Sequence, residues 1–232
     1  MRTILLVLIY VVLIIVLAVL LLICWPFGLR DPLLGVAKWA MSLAPPILGI
    51  KVEVTGRERV DKRTPYIFMA NHLSFLDGPL LFLLIPQPIR VILKKGVFRI
   101  PVIGQGMRFV GFVPVDRKGV RGGKKSIDLA VRLMREKGYS YLIFPEGTRS
   151  RDGRTQAFKR GGFFLATESQ APIVPISIGG TYELMPRGTI FPRRGKVEVR
   201  FHPPVPVQGY DQSTQSGLED KVKAVIESGM TA

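Results

Sequence analysis

A chain of 232 residues holds one sizeable catalytic domain, but is too short for two once the hydrophobic segment at its start is set aside. Its 33 lysines and arginines against 17 acidic residues, a net charge of +16, call for an anionic partner, and with no zinc-finger spacing and no aromatic-rich RNA-binding signature an anionic membrane lipid surface and a phosphorylated substrate fit better than nucleic acid. The one cysteine, Cys24, ends the hydrophobic segment, which excludes a disulfide within the chain and thiol catalysis in the domain.

Residues 4–24, ILLVLIYVVLIIVLAVLLLIC, carry no charge. As a helix rising about 1.5 Å per residue they reach roughly 31 Å, the thickness of a hydrocarbon core, and read as a membrane-embedded helix. A cleaved signal peptide has a shorter apolar core, and CWPFGLRD is not a small-residue cleavage site. The following LRDPLLGVAKWAMSLAPPILGI is apolar but carries Lys38 and Trp39, which suit a headgroup boundary; a helix packed on the domain is the competing reading. Residues 1–50 are thus expected to form a membrane anchor, transmembrane or membrane-inserted, and residues 51–232 the catalytic domain. From Arg90 to Lys125 there are ten basic residues against Asp116 alone. The positive-inside rule then puts the domain on the cytoplasmic face of the cell (inner) membrane, although Arg2 weighs the other way.

Past the anchor, β-rich runs recur at 51–54, 66–70, 90–94, 109–115, 139–144, 173–178 and 196–201, several of them almost wholly apolar, as buried strands are. Helical stretches fall near 75–85, 122–137, 157–169 and 217–228, with Ser126 as a candidate N-cap and Gly138 as a stop for the second. This alternation predicts an α/β fold: one domain with a mixed, largely parallel sheet flanked by helices. The polar VQGYDQSTQSG leads to a last amphipathic helix packed on the sheet.

The strand YIFMA runs into ANHLSFLDG, residues 70–78, which contains His72, one of two histidines, and Asp77 five positions on. Inside one helix that spacing would put the two side chains about 140° apart. With His72 in the turn before the helix, the ring can fold back over the first helical turn, where Asp77 points. Locally two readings stand. Ser74 and Asp77 in S-x-x-D relation can form a capping box beside an incidental histidine. Alternatively, Asp77 fixes the tautomer of an imidazole base at a strand end, where α/β sheets place ligands. There is no G-x-S-x-G elbow, and Ser74 is the one local rival nucleophile, so such a base would act on a substrate hydroxyl.

Further along, Lys94 and Lys95 precede a Gly- and Pro-punctuated loop, and FVGFVPVDR ends in Asp116 and Arg117, a surface ion pair or a phosphate clamp. GGKKS lacks the spacing and hydroxyl of a Walker loop. YLIFPEGTRSRDGR ends a strand in a turn, where Pro145 stops the ladder and Gly147 permits a tight bend. Arg149 there offers a planar fork for oxyanions, while Arg151 and Arg154 read as a solvated basic turn. The prolines of APIVPISIGG argue for an edge or bulged strand.

Together these strings resemble the glycerolipid acyltransferases, which include the bacterial 1-acyl-sn-glycerol-3-phosphate acyltransferases, over roughly residues 50–205. NHLSFLD resembles the family's N-H-x4-D signature, GFVPVDR its second block, FPEGTRS its third and IVPISIGG its fourth, in the family's order. The resemblance implies a glycerol-3-phosphate acyltransferase-like domain with His72 as general base on a glycerol hydroxyl and Asp77 as its partner. It places Arg117, Glu146, Gly147, Thr148, Arg149 and, less specifically, Lys95 around the acceptor phosphate, and has Val174 and Pro175 shape the acyl channel. It implies transfer from acyl-CoA or acyl-carrier protein to the sn-2 hydroxyl of lysophosphatidic acid, giving phosphatidic acid without a metal or cofactor. The same chemistry on glycerol 3-phosphate, a lysophospholipid or a lyso-aminolipid is the nearest alternative; a membrane-tethered binding module for anionic lipid or nucleic acid is the alternative from another class.

Overall fold

The computed structural model describes residues 2–115, 120–211 and 213–230. Three helices come first: α1 (Arg2–Cys24), α2 (Arg30–Ser42) and α3 (Ala44–Leu48). The domain then runs β1 (Ile50–Thr55), β2 (Ile67–Ala70), α4 (Asp77–Leu84), β3 (Ile89–Lys94), α5 (Ile103–Phe109), β4 (Val113–Val115), α6 (Val120–Lys137), β5 (Ser140–Ile143), α7 (Arg160–Ser169), β6 (Ile173–Gly179), α8 (Thr181–Leu184), β7 (Gly195–Phe201) and α9 (Gln215–Ser228).

The strands form one seven-stranded sheet in the order β1-β7-β6-β2-β5-β3-β4. All pairs are parallel except β6 with β7, which joins Ile178 to Val199. β2 lies at the centre, with Phe68 opposite Leu142 of β5 and Val174 of β6. The expected mixed, largely parallel sheet is therefore present. Alternate residues of its strands feed two cores. Phe68, Ala70, Leu142, Val174 and Ile176 pack with α4 and with Leu21, Leu33, Leu34 and Leu48 of the first three helices. On the other face, Ile67, Met69, Tyr141 and Ile173 pack with Ala130 of α6, Phe163 of α7 and Leu218, Val222 and Ile226 of α9. Apolar side chains on both faces are what make the central strands continuous hydrophobic runs.

Because β2, β3, β4, β5 and β6 point the same way, their C-terminal ends share one edge of the sheet, together with the starts of β7 and β1. Every loop that carries a motif leaves from this edge.

Several local expectations change. The run 109–115 is a strand only over Val113–Val115; Phe109 ends α5, and Gly111 turns the chain at φ +90° where a Cβ would lie 2.8 Å from the Tyr139 ring. Helix α4 starts at Asp77 rather than 75, because residues 74–76 are occupied by the turn that Asp77 itself closes. Ser126 is not an N-cap: it lies inside α6 and its Oγ donates to the Pro114 carbonyl at 2.7 Å. Gly138, at φ +64°, does end α6. β6 is an interior strand, not an edge, but its ladder is interrupted: Ile176 pairs with Phe201, whereas Ile173 meets Val205, one residue out of step. Pro175 and Ile173 offer their nitrogens on the same side of β6. The ring nitrogen without a hydrogen thus falls where the partner chain bulges away.

Arg90 leaves the basic surface inferred from sequence. It is 2% exposed, its guanidinium lies 3.5 Å from the Tyr139 ring centroid, and it donates to the Val110 and Pro88 carbonyls and to Asp31 of α2. One buried cation thus fastens the α2 start, the β3 start and the α5–β4 turn together. Replacing it by leucine strands two carbonyls, and Arg90→Leu should lower unfolding stability in detergent by about 2–4 kcal/mol. Asp31→Asn, at an exposed partner, should cost well under half as much.

Candidate active site

His72 follows the fully buried end of β2 by two residues, and the intervening Asn71 is itself buried. The Asn71 amide donates to the Ile178 carbonyl and accepts the Ile178 N–H, both at 2.8 Å. A side-chain amide that reproduces a backbone pair in this way welds the strand end to β6 and fixes where the next residue begins. The His72 N–H donates to Glu146 Oε1 at 2.8 Å, and its carbonyl accepts the Ser150 N–H at 2.8 Å. Its ring stacks on Phe144, centroids 4.0 Å apart and planes 19° from parallel.

Asp77 is wholly buried. Its Oδ2 accepts His72 Nδ1–H at 2.9 Å and the backbone N–H groups of Leu73 and Ser74 at 2.7 Å each. A carboxylate only accepts, so Nδ1 carries the proton and Nε2 is left as the basic nitrogen, on a side chain that is 20% exposed. The two local readings merge in this geometry. Asp77 returns to the Ser74 N–H as the acidic member of a capping box would, while Ser74 Oγ accepts the Leu76 N–H and donates to the Met185 carbonyl. Ser74 is fully buried with its hydroxyl so engaged, a poor arrangement for a nucleophile.

The third motif forms the facing turn. Glu146 is 1% exposed, and its oxygens accept the N–H groups of His72 and Gln156. Burial pushes its carboxyl up to about 7, opposed by those two bonds and helped by the nearby Asp77 charge. Glu146 therefore holds the histidine's backbone from a buried position. Gly147 adopts φ +69°, and a Cβ there would come within 3.0 Å of Lys159 Nζ. Thr148 is exposed, and its carbonyl accepts from Gln156 Nε2. Arg149 is half-buried with its guanidinium 5.8 Å from the centroid of the Phe75 ring. Arg151 and Arg154 are exposed on the turn beyond, as a solvated turn requires.

Lys95 is exposed just past β3 on the same edge. Arg117, two positions past the end of β4 in the sequence, lies outside the described residues. Val174 and Pro175 sit elsewhere: both are buried in the middle of β6, Val174 in the core shared with Leu81 and Leu142, so neither forms an open wall. The reason for Val174 is that its side chain projects from the sheet face covered by α4 and the N-terminal helices. Sequence reasoning passed over the supporting partners Asn71, Phe144, Ser150 and Gln156; only Asn71, an amide at a buried strand end, carried a local signal. Among the described residues, no group of three His, Cys, Asp or Glu side chains could hold a metal ion.

A histidine tied to a buried carboxylate at a sheet edge, beside an arginine turn, is a geometry suited to chemistry on a hydroxyl. Residues 51–179 match the acyltransferase family, and the chain belongs to that family. It is similar to the 1-acyl-sn-glycerol-3-phosphate acyltransferase of Limnanthes douglasii, 36% identical over 179 residues that cover 77% of this chain and 62% of the relative. It is 31% identical to the Borreliella burgdorferi protein of the same description over 181 residues, 78% of this chain and 72% of that one. The chain spans 45% of the length of the chloroplastic BAT2 enzyme of Brassica napus, to which it is 40% identical over 157 residues. The crystal structure of the 1-acyl-sn-glycerophosphate acyltransferase PlsC from Thermotoga maritima superimposes with a TM-score of 0.73 at 26% identity, covering 99% of this chain and 96% of that one.

Two outcomes test the geometry. Asp77→Asn can still meet the backbone N–H groups with its amide oxygen but removes the negative charge beside the His72 ring, so acyl-transfer turnover should fall by on the order of 10²- to 10⁴-fold with folding retained by circular dichroism. Because the folded carboxyl of Glu146 titrates above its unfolded value, it contributes stability that is complete below about pH 4.5 and lost as pH rises through about 7. The wild type should therefore lose on the order of 3 kcal/mol relative to Glu146→Gln between pH 4 and 8. A pH-independent difference between the two melting curves would contradict this.

Proposed function

We propose that the protein transfers a fatty acyl group from acyl-CoA or acyl-carrier protein to the sn-2 hydroxyl of 1-acyl-sn-glycerol 3-phosphate, giving phosphatidic acid in phospholipid synthesis. The observation that carries this reading is the His72–Asp77 couple, which leaves Nε2 as the ring's available acceptor. Nε2 takes the proton of the sn-2 hydroxyl, and the oxygen attacks the thioester carbonyl. The tetrahedral oxyanion collapses with loss of thiolate, a leaving group that needs little acid assistance, and the imidazolium returns its proton to the thiolate or to water. Asp77 holds the tautomer and stabilises the imidazolium that forms. This sequence uses no covalent enzyme intermediate, metal or cofactor.

Arg149 is assigned to the acceptor phosphate, with Gly147 and Thr148 shaping the turn that presents it and Lys95 as a further cation at the same edge; Arg117 is assigned to the phosphate by the family motif alone. Glu146 acts as a positioning residue through the His72 backbone. The domain is held at the cytoplasmic face of the cell membrane by residues 1–50, the anchor of an acyltransferase domain over 51–232. The apolar span Val7–Cys24 supports this, being long enough to cross a bilayer and mostly exposed on the protein. So does its direction: Leu21 approaches Gly106 and Trp25 stacks on Phe109, so α1 runs parallel to α5. Its earlier turns thus extend past the start of α5, on the side of the His72 edge. Anionic lipid is the surface partner, and nucleic acid is not.

In purified membranes, His72→Ala should abolish acyl-thioester-dependent release of thiol, which a binding module would not require. Arg149→Ala should raise the KM for lysophosphatidic acid by tenfold or more while leaving that for the acyl donor within about twofold, since loss of a charged partner costs on the order of 1.5–3 kcal/mol. Equal losses with acceptors lacking phosphate would contradict a phosphate clamp, and a panel of glycerol 3-phosphate, lysophospholipids and a lyso-aminolipid with both donors identifies the acceptor.

A further inference from the structure

Beyond residue 50, the large hydrophobic side chains exposed among the described residues are Phe75, Ile100, Val102, Ile190 and Phe191. All five leave from the edge that carries His72: Phe75 follows β2, Ile100 and Val102 follow β3, and Ile190 and Phe191 lie between β6 and β7. The two most exposed, Ile190 at 76% and Phe191 at 66%, are neighbours in the segment 185–194, MPRGTIFPRR. Adjacent large apolar side chains held in water mark a contact surface when the backbone gives them no freedom to withdraw.

Here the backbone is pinned at three points. The Arg193 N–H donates to the Leu184 carbonyl at 2.8 Å and closes the neck of the loop. The Thr189 N–H donates to the Pro186 carbonyl across Gly188, at φ +98°, which makes a tight turn that an L side chain would strain. Ser74 Oγ donates to the Met185 carbonyl at 2.8 Å and ties the loop to the turn between His72 and Asp77. Three arginines, Arg187, Arg193 and Arg194, are exposed around the apolar pair, and no acidic residue occurs from Met185 to Gly195. An apolar tip collared by cations matches an anionic bilayer surface, whose phosphates meet the guanidinium groups while the tip enters the acyl boundary.

We propose that the loop 185–194 is a second membrane contact, in which Ile190 and Phe191 enter the interface of the anionic bilayer that α1 occupies. The inference rests on the reading of α1 as a membrane helix. A single helix leaves the domain free to rotate about that helix and to tilt. A second contact beyond β6, across the sheet from the α1–α5 side, removes that freedom and keeps the His72 edge against the lipid from which an amphiphilic acceptor arrives. The bond from Ser74 to Met185 makes the contact rigid with respect to the catalytic turn.

The test uses the full chain with Cys24→Ser, reconstituted in phosphatidylcholine vesicles containing phosphatidylglycerol, with one environment-sensitive fluorophore on Leu8→Cys, Lys62→Cys or Phe191→Cys. Lys62 is exposed on the opposite edge and serves as the aqueous control. The expected result is blue-shifted emission at positions 8 and 191, quenched by shallow lipid-borne quenchers at least twofold more than at 62. Emission at 191 equal to that at 62, with position 8 in lipid, overturns the loop contact and leaves the anchor standing; water-like emission at both 8 and 191 overturns both. Independently, Ile190→Ser with Phe191→Ser should raise the KM for vesicle-borne lysophosphatidic acid by about tenfold or more, since each side chain is worth roughly that factor when withdrawn from water. Turnover of a monomeric short-chain acceptor should be unchanged. A loss confined to carrier-protein donors, with 191 water-like, assigns the tip to protein docking and overturns the proposal.

Discussion

The site depends on one buried oxygen. Asp77 Oδ2 collects the imidazole N–H of His72 and the backbone N–H groups of the next two residues, all within 2.9 Å. A carboxylate withdrawn from water is costly unless donors meet its charge, and here the donors belong to the turn that carries the histidine. The bonds that satisfy Oδ2 are therefore the same ones that shape the turn and aim the ring. Capping and orienting converge on one oxygen, so removing the Asp77 side-chain oxygens removes both.

That turn hangs from the sheet by bonds that span long stretches of chain. Asn71 copies a backbone pair onto Ile178, 107 positions away, and Glu146 and Ser150 grip the His72 N–H and carbonyl from the loop after β5. The parallel run of β6, β2 and β5 brings these three chain segments to one edge. Glu146 illustrates the cost of such support. Its carboxylate is turned inward, and burial raises it to about 7, so the histidine is held partly by a group whose own ionisation the fold opposes.

The same edge is chemically divided. It carries the arginine of the third motif, the collar of arginines on the β6–β7 loop and a scatter of exposed apolar side chains. In the proposed reading a lysolipid has matching parts, an anionic headgroup for the cations and an acyl tail for the apolar surface. The N-terminal helices are built into this arrangement instead of being appended to it. Leu21, Leu33, Leu34 and Leu48 belong to the sheet's own core, and Arg90 bolts α2 to β3 from within.

Much of this was legible in the residues. The apolar N-terminal segment, the alternation of strands and helices, a strand ending at His72, the carboxylate five positions on and the tight turn at Gly147 are local facts, set by side-chain chemistry within one element. The errors were of another kind. Two prolines suggested an edge or bulged strand; β6 is interior, between β7 and β2, and the bulge in its partner opposite Pro175 is what accommodates the proline. Val174 and Pro175 are buried within the sheet, and Arg90 is inside. Each depends on which strands become neighbours. The sequence by itself determined which groups could do chemistry and where the chain turns; the tertiary structure decided which of them face solvent, which hold others in place and that the 185–194 loop shares an edge with His72. The physical reason is that pairing between segments 74 to 107 positions apart leaves no periodic trace in either segment alone.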